Sequence, residues 1–203
     1  MKKKNVCVYC SSSNYLDEKF YGVASELGEK LAKSGYNLVY GGSTCGCMGK
    51  VAESILKSGG EVIGVIPERI QNMGLSHPQL SELIITKDMR ERKAKMEELS
   101  DMFIALPGSF GTLEEISEII VAKQLSYHNK AVVFLNFENF YGPLFEMYEK
   151  YYKYGFAKEA NRELYFIADN TDEAVNYLNN YRAKEFVFKY WFSKSLIWSI
   201  KPL

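Results

Sequence analysis

The amino-acid sequence predicts an α/β fold, a three-layer sandwich whose central sheet is mostly parallel. Short apolar runs rich in valine and isoleucine alternate along the chain with longer segments of helical periodicity. This alternation is typical of successive βαβ units, whose strands are buried on both faces and are therefore apolar throughout. With 203 residues, of which 47% are hydrophobic, the chain is long and apolar enough for one domain with its own core.

The predicted elements follow one another from the N-terminus mainly as strand, helix and strand. The apolar runs predict strands at residues 5–10, 37–40, 61–66, 83–86, 101–106, 131–135 and 164–167. Helical patterns cover residues 18–34, 48–58, 88–99, 112–128, 141–154 and 171–181. Because no repeat or low-complexity linker divides these elements, we assign residues 1–182 to a single domain.

Residues 183–203 differ in composition from the rest of the chain. They hold six aromatic residues, and lysine recurs at positions 184, 189, 194 and 201. Aromatic residues alternate from 186 to 192 as in a strand, whereas residues 191–200 fit a helix equally well. Aromatic side chains need a surface to cover them, so we expect this C-terminal extension to pack on the domain or on a partner subunit. Peripheral membrane contact is the alternative, since the charges are too frequent for a membrane span.

The charges of the whole chain are balanced. Lysine and arginine number 25, as do aspartate and glutamate, and the pI is about 6.7. This balance gives no overall attraction to nucleic acid or to an anionic membrane. The apolar run after the basic residues M-K-K-K is too short for a signal peptide, and no stretch approaches the about 18 apolar residues of a membrane helix. We therefore expect a cytoplasmic protein without nucleic-acid partners or stable membrane insertion.

The four cysteines form two close pairs, C7-V-Y-C10 and C45-G-C47. Two close pairs of thiolates are a pattern that zinc sites use. Cys7 and Cys10, however, lie along a predicted strand, where residues three apart point to opposite faces. Paired ligands normally sit on a turn, so we predict no metal site and expect the cysteines to be reduced.

Three predicted strands end in small and polar residues. The segments are C-S-S-S-N at 10–14, G-G-S-T-C-G-C-M-G at 41–49 and P-G-S-F-G-T at 107–112. In an open parallel sheet the ligand crevice lies at the carboxyl ends of the strands. Glycine lets the backbone approach a ligand, and the N–H groups that begin the next helix are donors for a phosphate. The three ends together predict phosphate or nucleotide binding, and their spacing matches neither G-x-G-x-x-G nor G-x-x-x-x-G-K-S/T.

The basic helix M-R-E-R-K-A-K-M at residues 89–96 has two interpretations. Asp88 and Glu91 have the spacing of a capping box, and a solvated helix face accounts for the charges. In the other interpretation Arg92 points into the crevice and holds an anionic substrate. Periodicity alone leaves both open.

Glu115 has the same ambiguity. Thr112 to Glu115 fits the capping pattern T-x-x-E, in which the glutamate reaches back to the first N–H groups of its own helix. A carboxylate beside a phosphate-binding loop is electrostatically unfavourable, because it repels the phosphate, unless positive charge develops there during the reaction. Cleavage of a glycosidic bond through an oxocarbenium-like state is chemistry of that kind.

These segments together resemble the LOG ("lonely guy") family of cytokinin riboside 5′-monophosphate phosphoribohydrolases, whose relatives were once named possible lysine decarboxylases. The family pattern P-G-G-x-G-T-x-x-E corresponds to P-G-S-F-G-T-L-E-E at 107–115, and M-x-x-R-K to M-R-E-R-K at 89–93. The family's early C-V-Y-C-G-S-S and second Y-G-G-G-x-x-G-L-M-G segments correspond to residues 7–13 and 40–49. Further matches are G-E-V-I-G-V-I-P at 60–67 and Q-L-S-Y-H at 124–128.

The resemblance implies a Rossmann-like fold and hydrolysis of a nucleoside 5′-monophosphate, AMP or an N6-modified AMP, to free base and ribose 5-phosphate. It implies Arg92 and Glu115 as the catalytic pair, no metal or other cofactor, and a homodimer or larger homo-oligomer. A non-catalytic nucleotide-binding or carrier protein is the alternative, whereas decarboxylation lacks any recognisable pyridoxal-binding lysine. The expected substrate- and phosphate-binding residues are Ser11, Ser12, Gly42, Ser43, Met89, Lys93, Pro107, Gly108, Ser109, Gly111 and Thr112.

The sequence departs from the family pattern at four positions. Ser43 and Ser109 replace loop glycines, and Ser126 replaces the glycine of the usual Q-L-G. Ala131 stands where proline is common. Serine tolerates a nearby phosphate and adds a hydroxyl donor, but it disfavours a positive φ. If position 109 needs a positive φ, serine there costs about 1 kcal/mol or more. Strain of this kind at Ser109 would change the activity or the substrate preference.

Overall fold

The computed structural model of the chain describes residues 3–183, which form a parallel sheet between two layers of helices. The strands are β1 (Asn5–Tyr9), β2 (Asn37–Tyr40), β3 (Val62–Pro67), β4 (Glu82–Thr86), β5 (Met102–Ala105), β6 (Ala131–Leu135) and β7 (Phe166–Ala168). Their order across the sheet is β4-β3-β2-β1-β5-β6-β7, and every neighbouring pair is parallel. The predicted fold class is confirmed.

Helices cover both faces of this sheet. They are α1 (Glu18–Lys33), α2 (Gly46–Lys57), α3 (Glu68–Gln71), α4 (Met89–Leu99), α5 (Phe110–Gln124), α6 (Gly142–Lys153) and α7 (Thr171–Asn180). Helices α1, α2 and α7 pack on one face, and α4, α5 and α6 pack on the other. Of these helices, α3 was not predicted, because a single turn is too short to show a helical period.

The side chains of β1 alternate between the two cores. Val6 and Val8 pack with α1 and α2, whereas Cys7 packs on the opposite face with α4 and α5. Cys10 belongs to the same core as Val8, so the predicted opposite orientation of Cys7 and Cys10 is confirmed. Within residues 3–183, no group of three or more histidine, cysteine or acidic side chains is placed to hold a metal ion.

No helix in the described part of the chain is long and apolar enough to cross a membrane. The predicted packing of the C-terminal extension falls outside the described residues, apart from Ala183.

The order of the strands reverses between β1 and β5. From β1 the chain builds outward through β2, β3 and β4, then returns to place β5 on the other side of β1. The loops that follow β1 and β5 therefore leave in opposite directions and open a crevice at the carboxyl edge of the sheet. The polar segments at residues 10–14 and 107–112 follow these two strands.

Helix α5 ends four residues before its predicted boundary because Ser126 adopts a left-handed conformation with φ of 64°. The N–H of Ser126 donates to the carbonyl of Lys123 at 3.0 Å, and the N–H of Tyr127 donates to that of Ala122 at 3.0 Å. This is the Schellman arrangement, in which the left-handed residue is usually glycine. Ser109 has φ of −100°, so the condition for strain at position 109 is not met.

We expect Ser126→Gly to raise the free energy of unfolding by about 1 kcal/mol, because glycine adopts the left-handed conformation without a Cβ clash. Denaturant unfolding measures the change. Ser109→Gly is the matched control, since a residue with a negative φ gains only disorder in the unfolded state and is not stabilised. Equal stabilisation by the two variants would contradict this account of the strain.

Candidate active site

A cavity of about 120 Å³ lies where the order of the strands reverses, at the ends of β1 and β5. It brings together the loop after β1, the start of α5 and side chains from α4. Seven of the predicted site residues line it: Ser11, Ser12, Arg92, Ser109, Gly111, Thr112 and Glu115. Residues that are far apart in the sequence therefore meet in one place, as expected for strand ends of a parallel sheet.

Arg92 and Glu115 form a buried ion pair in the wall of this cavity. Arg92 Nη1 lies 3.3 Å from Glu115 Oε1, and each side chain is only 10% exposed. Arg92 Nε also donates to the backbone carbonyl of Val65 at 3.1 Å, and Nη1 lies 3.7 Å from Met89 Sδ. Arg92 therefore points into the crevice and does not belong to a solvated helix face, and its binding of an anionic substrate stays a prediction.

The start of α4 is capped in a way that fixes the direction of Arg92. Asp88 Oδ1 accepts the N–H groups of Arg90 and Glu91, each at 2.9 Å. These hydrogen bonds, that from Glu91 foremost, lower the pKa of Asp88. The Glu91 carboxylate accepts the N–H of Lys87 at 2.7 Å. Asp88 therefore caps the helix as predicted, whereas Glu91 binds the residue before the N-cap and completes the predicted capping box only in part.

Gly41, which follows β2 directly, leaves room for the guanidinium group. A Cβ at this position would lie 2.2 Å from Arg92 Nη2 and 2.9 Å from Met48 Sδ. Contacts of that length are sterically forbidden, so a larger residue requires the guanidinium or the Met48 side chain to shift. Gly41 is therefore explained by packing against Arg92.

Glu115 lies in the second turn of α5. The helix begins at Phe110 with Ser109 as its N-cap, so Thr112 is already inside the first turn. The capping-box interpretation of Glu115 is therefore wrong, and its carboxylate pairs with Arg92. Burial raises the pKa of Glu115, and the Arg92 charge opposes that rise only in part.

The first turn of α5 has backbone N–H groups that are suited to binding an anion. Ser109 does not cap the helix with its side chain, and the first N–H groups of a helix have no acceptor within it. A Cβ on Gly108 would lie 2.1 Å from Thr112 Oγ1, so glycine lets the loop fold closely over the helix start. Pro107 is buried and leads into this turn. The N–H groups and the helix dipole together favour a bound phosphate.

The glycine-rich loop after β2 is held instead by contacts within the protein. Its N–H groups donate as follows: Thr44 to the Leu75 carbonyl at 3.1 Å, Cys45 to Ser43 Oγ at 3.1 Å, Gly46 to Asn14 Oδ1 at 2.8 Å and Cys47 to the Ser11 carbonyl at 3.0 Å. Two of these bonds fix the loop after β1. Gly42 faces Ile66, and Ser43 is buried beside Ser76. Neither Gly42 nor Ser43 lines the cavity.

Two further residues of the predicted site lie beside the cavity. Lys93 forms ion pairs with Glu114 and Glu118 on α5, and these bonds raise its pKa. Met89 contacts Arg92 through its sulfur and lines an adjoining groove of about 710 Å³.

The predicted site residues do not include six residues that line the cavity: Val8, Tyr9, Cys10, Gly41, Met48 and Met96. Val8, Tyr9 and Met96 belong to an apolar strand or helix face, where the pattern indicates only a core position. Cys10, Gly41 and Met48 had a signal, since they lie in the polar and glycine-rich segments at 10–14 and 41–49. Burial raises the pKa of the Tyr9 phenol and of the Cys10 thiol well above their usual values, so both are neutral beside the ion pair.

Comparison with known proteins agrees with the motifs that meet in this cavity. A sequence model of the family described as "Possible lysine decarboxylase" matches residues 48–178. The cytokinin riboside 5′-monophosphate phosphoribohydrolase LOG5 of Arabidopsis thaliana is 40% identical over 179 residues, which are 88% of this chain and 78% of that protein. The chain belongs to the LOG family. A second LOG-family relative, the probable phosphoribohydrolase LOGL2 of Oryza sativa subsp. japonica, is 38% identical over 88% of this chain and 73% of its own length.

Solved structures share the fold of this LOG-family chain at lower identity. The molybdenum cofactor binding protein of Rippkaea orientalis has a TM-score of 0.69 and 21% identity, covering 88% of this chain and 97% of its own. The molybdenum cofactor carrier protein of Chlamydomonas reinhardtii has a TM-score of 0.65 and 22% identity, with the same coverage of both chains. At this identity the likeness shows the Rossmann-like fold alone.

We expect Gly41→Ala to lower the free energy of unfolding by about 1–3 kcal/mol, because the new methyl group overpacks the space of the Arg92 guanidinium. Thermal or denaturant unfolding measures the loss. Gly22→Ala is the matched control, since a Cβ at that position in α1 meets nothing within 4 Å. Alanine there favours the helix and stabilises by about 0.5–1 kcal/mol. An unchanged free energy of unfolding in Gly41→Ala would show that the position of the guanidinium does not depend on this glycine.

Proposed function

We propose that the chain hydrolyses the N-glycosidic bond of a nucleoside 5′-monophosphate, AMP or an N6-modified AMP, to free base and ribose 5-phosphate. The observation that carries the proposal is the buried pair of Arg92 and Glu115, 3.3 Å apart and next to the uncapped start of α5. The names of the LOG-family relatives, which are phosphoribohydrolases, support the same reaction.

In this proposal the phosphate binds the N–H groups at the start of α5, between Gly108 and Thr112. The hydroxyl groups of Ser109 and Thr112 are further donors. Ser11 and Ser12 also line the cavity, and in this proposal their hydroxyl groups bind the ribose. The cavity of about 120 Å³ suits ribose and phosphate but not the whole nucleotide. The base therefore extends past Met89 into the adjoining groove.

The reaction separates charge in a way that a buried carboxylate favours. Water adds its oxygen to C1′ of the ribose while the N-glycosidic bond breaks, and the base leaves with the bonding electrons and takes up a proton. Positive charge develops on the ribose ring in the transition state. Ionised Glu115 stabilises that charge or orients the attacking water. A site that only bound phosphate would gain nothing from a buried carboxylate.

Arg92 has two functions in this scheme. It balances the Glu115 charge in the free protein, where an unpaired buried carboxylate would be strongly unfavourable. It also anchors the anionic substrate, since its guanidinium lines the cavity close to the start of α5. The hydrogen bond from Nε to the Val65 carbonyl keeps the guanidinium in place while Nη1 exchanges partners. No metal or redox cofactor enters this reaction.

We also propose that the protein acts in the cytoplasm as a homodimer or larger assembly. The free cysteines of the described chain suit a reducing compartment. Several apolar side chains on α5 and before α4 are strongly exposed, among them Ile85 at 51% and Val121 at 50%. Exposed apolar surface of this kind is typical of contact between subunits.

The decisive experiment is incubation with AMP and with N6-isopentenyl-AMP, with released base and ribose 5-phosphate measured. We expect release from at least one substrate, and a drop in kcat of at least about 100-fold for Glu115→Gln, because the essential charge is lost. Glu114→Gln is the matched control, since this neighbouring carboxylate pairs with Lys93 at the surface. Tight binding without release would favour the carrier alternative. Near-normal turnover by Glu115→Gln would remove Glu115 from the mechanism.

The acid side of the pH profile gives a separate prediction. Because burial raises the pKa of Glu115, the carboxylate becomes protonated at a higher pH than an ordinary glutamate. If the ionised form is the active one, kcat/KM falls as the pH drops through that raised pKa and is regained above it. Measured profiles should place this acidic limb above the usual glutamate value of 4.5. Activity that instead rises towards low pH would identify Glu115 as a proton donor.

A further inference from the structure

An aromatic groove of about 560 Å³ lies between β7 and α7, away from the catalytic cavity. Phe166 and Tyr177 stack with ring centroids 4.2 Å apart and an interplanar angle of 3°. Tyr181 continues this row, with its ring centroid 5.6 Å from that of Tyr177. The carboxylates of Glu163 and Glu173 flank the groove. Arg182 is the one cation among the described residues that line it, so the groove combines aromatic rings with a small excess of negative charge.

Hydrogen bonds to neighbouring elements hold Tyr181 in position. Lys123 Nζ, from buried Lys123 on α5, donates to Tyr181 Oη at 3.2 Å. The same hydroxyl lies 3.3 Å from the carbonyl oxygen of Asn129. A fixed aromatic surface loses little side-chain entropy when another group packs on it, which favours binding.

The described part of the chain ends at this groove. Tyr181 and Arg182 both line it, and Ala183 is the last described residue. Residues 184–203 remain, and they carry six aromatic residues with four lysines against one glutamate, a formal charge of +3. Since the whole chain has a formal charge of +0, residues 1–183 carry −3. The two parts of the chain are thus complementary in charge and alike in aromatic content.

We propose that residues 184–203 bind this groove of their own chain. The aromatic side chains pack on the row of Phe166, Tyr177 and Tyr181, and the lysines face Glu163 and Glu173. Each residue of an extended chain spans at most about 3.3–3.6 Å, so the first few residues beyond Ala183 already reach the groove. A covalently attached segment has an effective concentration of the order of millimolar, which favours the same chain over a second copy.

The size of the groove limits how much of the segment it takes. Pockets of about 300–1,000 Å³ hold one small-molecule ligand, so 560 Å³ accommodates a few aromatic side chains and not all six. Charge attraction adds to this contact and weakens with salt. The proposal does not depend on the proposed hydrolase activity.

The two tryptophans of the protein provide a specific probe, because Trp191 and Trp198 both lie in this segment. We expect full-length protein to show blue-shifted tryptophan emission and weak quenching by acrylamide. Asn176→Lys adds a positive charge to the exposed wall of the groove, so it should shift the emission to the red and increase quenching. Asn176→Glu is the matched control at the same position and should preserve the blue shift. Both replacements are better helix formers than asparagine.

Four results would overturn the proposal. The first is emission typical of exposed tryptophan in the unmodified protein, and the second is an equal response of the two Asn176 variants. The third is a blue shift that disappears on dilution, which would assign the groove to the segment of a second copy. The fourth is a blue shift seen only with anionic lipid vesicles, which would show that the segment binds a membrane surface and not the groove. Released base and ribose 5-phosphate, measured alongside, should be the same for both variants, which separates this test from that of the hydrolase.

Discussion

The buried ion pair between Arg92 and Glu115 is the constraint on which the rest of the cavity depends. Either charge left alone at 10% exposure would be costly, because burial removes most of the solvation that it has in water. Arg92 lies on α4, which connects β4 to β5, and Glu115 lies on α5, which follows β5. Their helices pack on the same face of the sheet and meet over β1. The pair therefore lies where the order of the strands reverses, which is the place where open α/β sheets commonly bind ligands.

The surrounding glycines follow from this pair and from the loop beside it. Gly41 has no space for a Cβ because the guanidinium occupies it, and Gly108 has none because Thr112 does. The loop after β2 uses its N–H groups to hold the loop after β1, whereas the start of α5 keeps its own N–H groups uncapped. The two glycine-rich segments, at 41–49 and 107–112, thus differ in what their N–H groups bind. Hydrogen-bond partners distinguish them, and glycine content does not.

The sequence predicted the fold class and both charged residues of the site, because apolar periodicity and the order of motifs are local signals. It did not predict Tyr9 or Met96 as lining residues, since a buried strand or helix face has the same pattern whether or not a cavity adjoins it. It also left Glu115 between a capping box and a catalytic position. That choice depends on where α5 begins, and the helix begins at Phe110, two residues before the predicted boundary. Helix boundaries are the part of a sequence prediction that is least certain.

The serines that replace family glycines have different consequences once their conformations are known. Ser126 is in the left-handed region at 64°, where glycine is the usual residue. Ser109 has φ of −100° and makes no side-chain capping bond, so its replacement costs no backbone strain. Its hydroxyl instead stands exposed at the edge of the cavity, beside the N–H groups that begin α5. The change at 109 therefore adds a hydrogen-bond donor to the proposed phosphate site. The backbone strain of a serine in place of glycine occurs instead at Ser126, beyond the other end of the same helix.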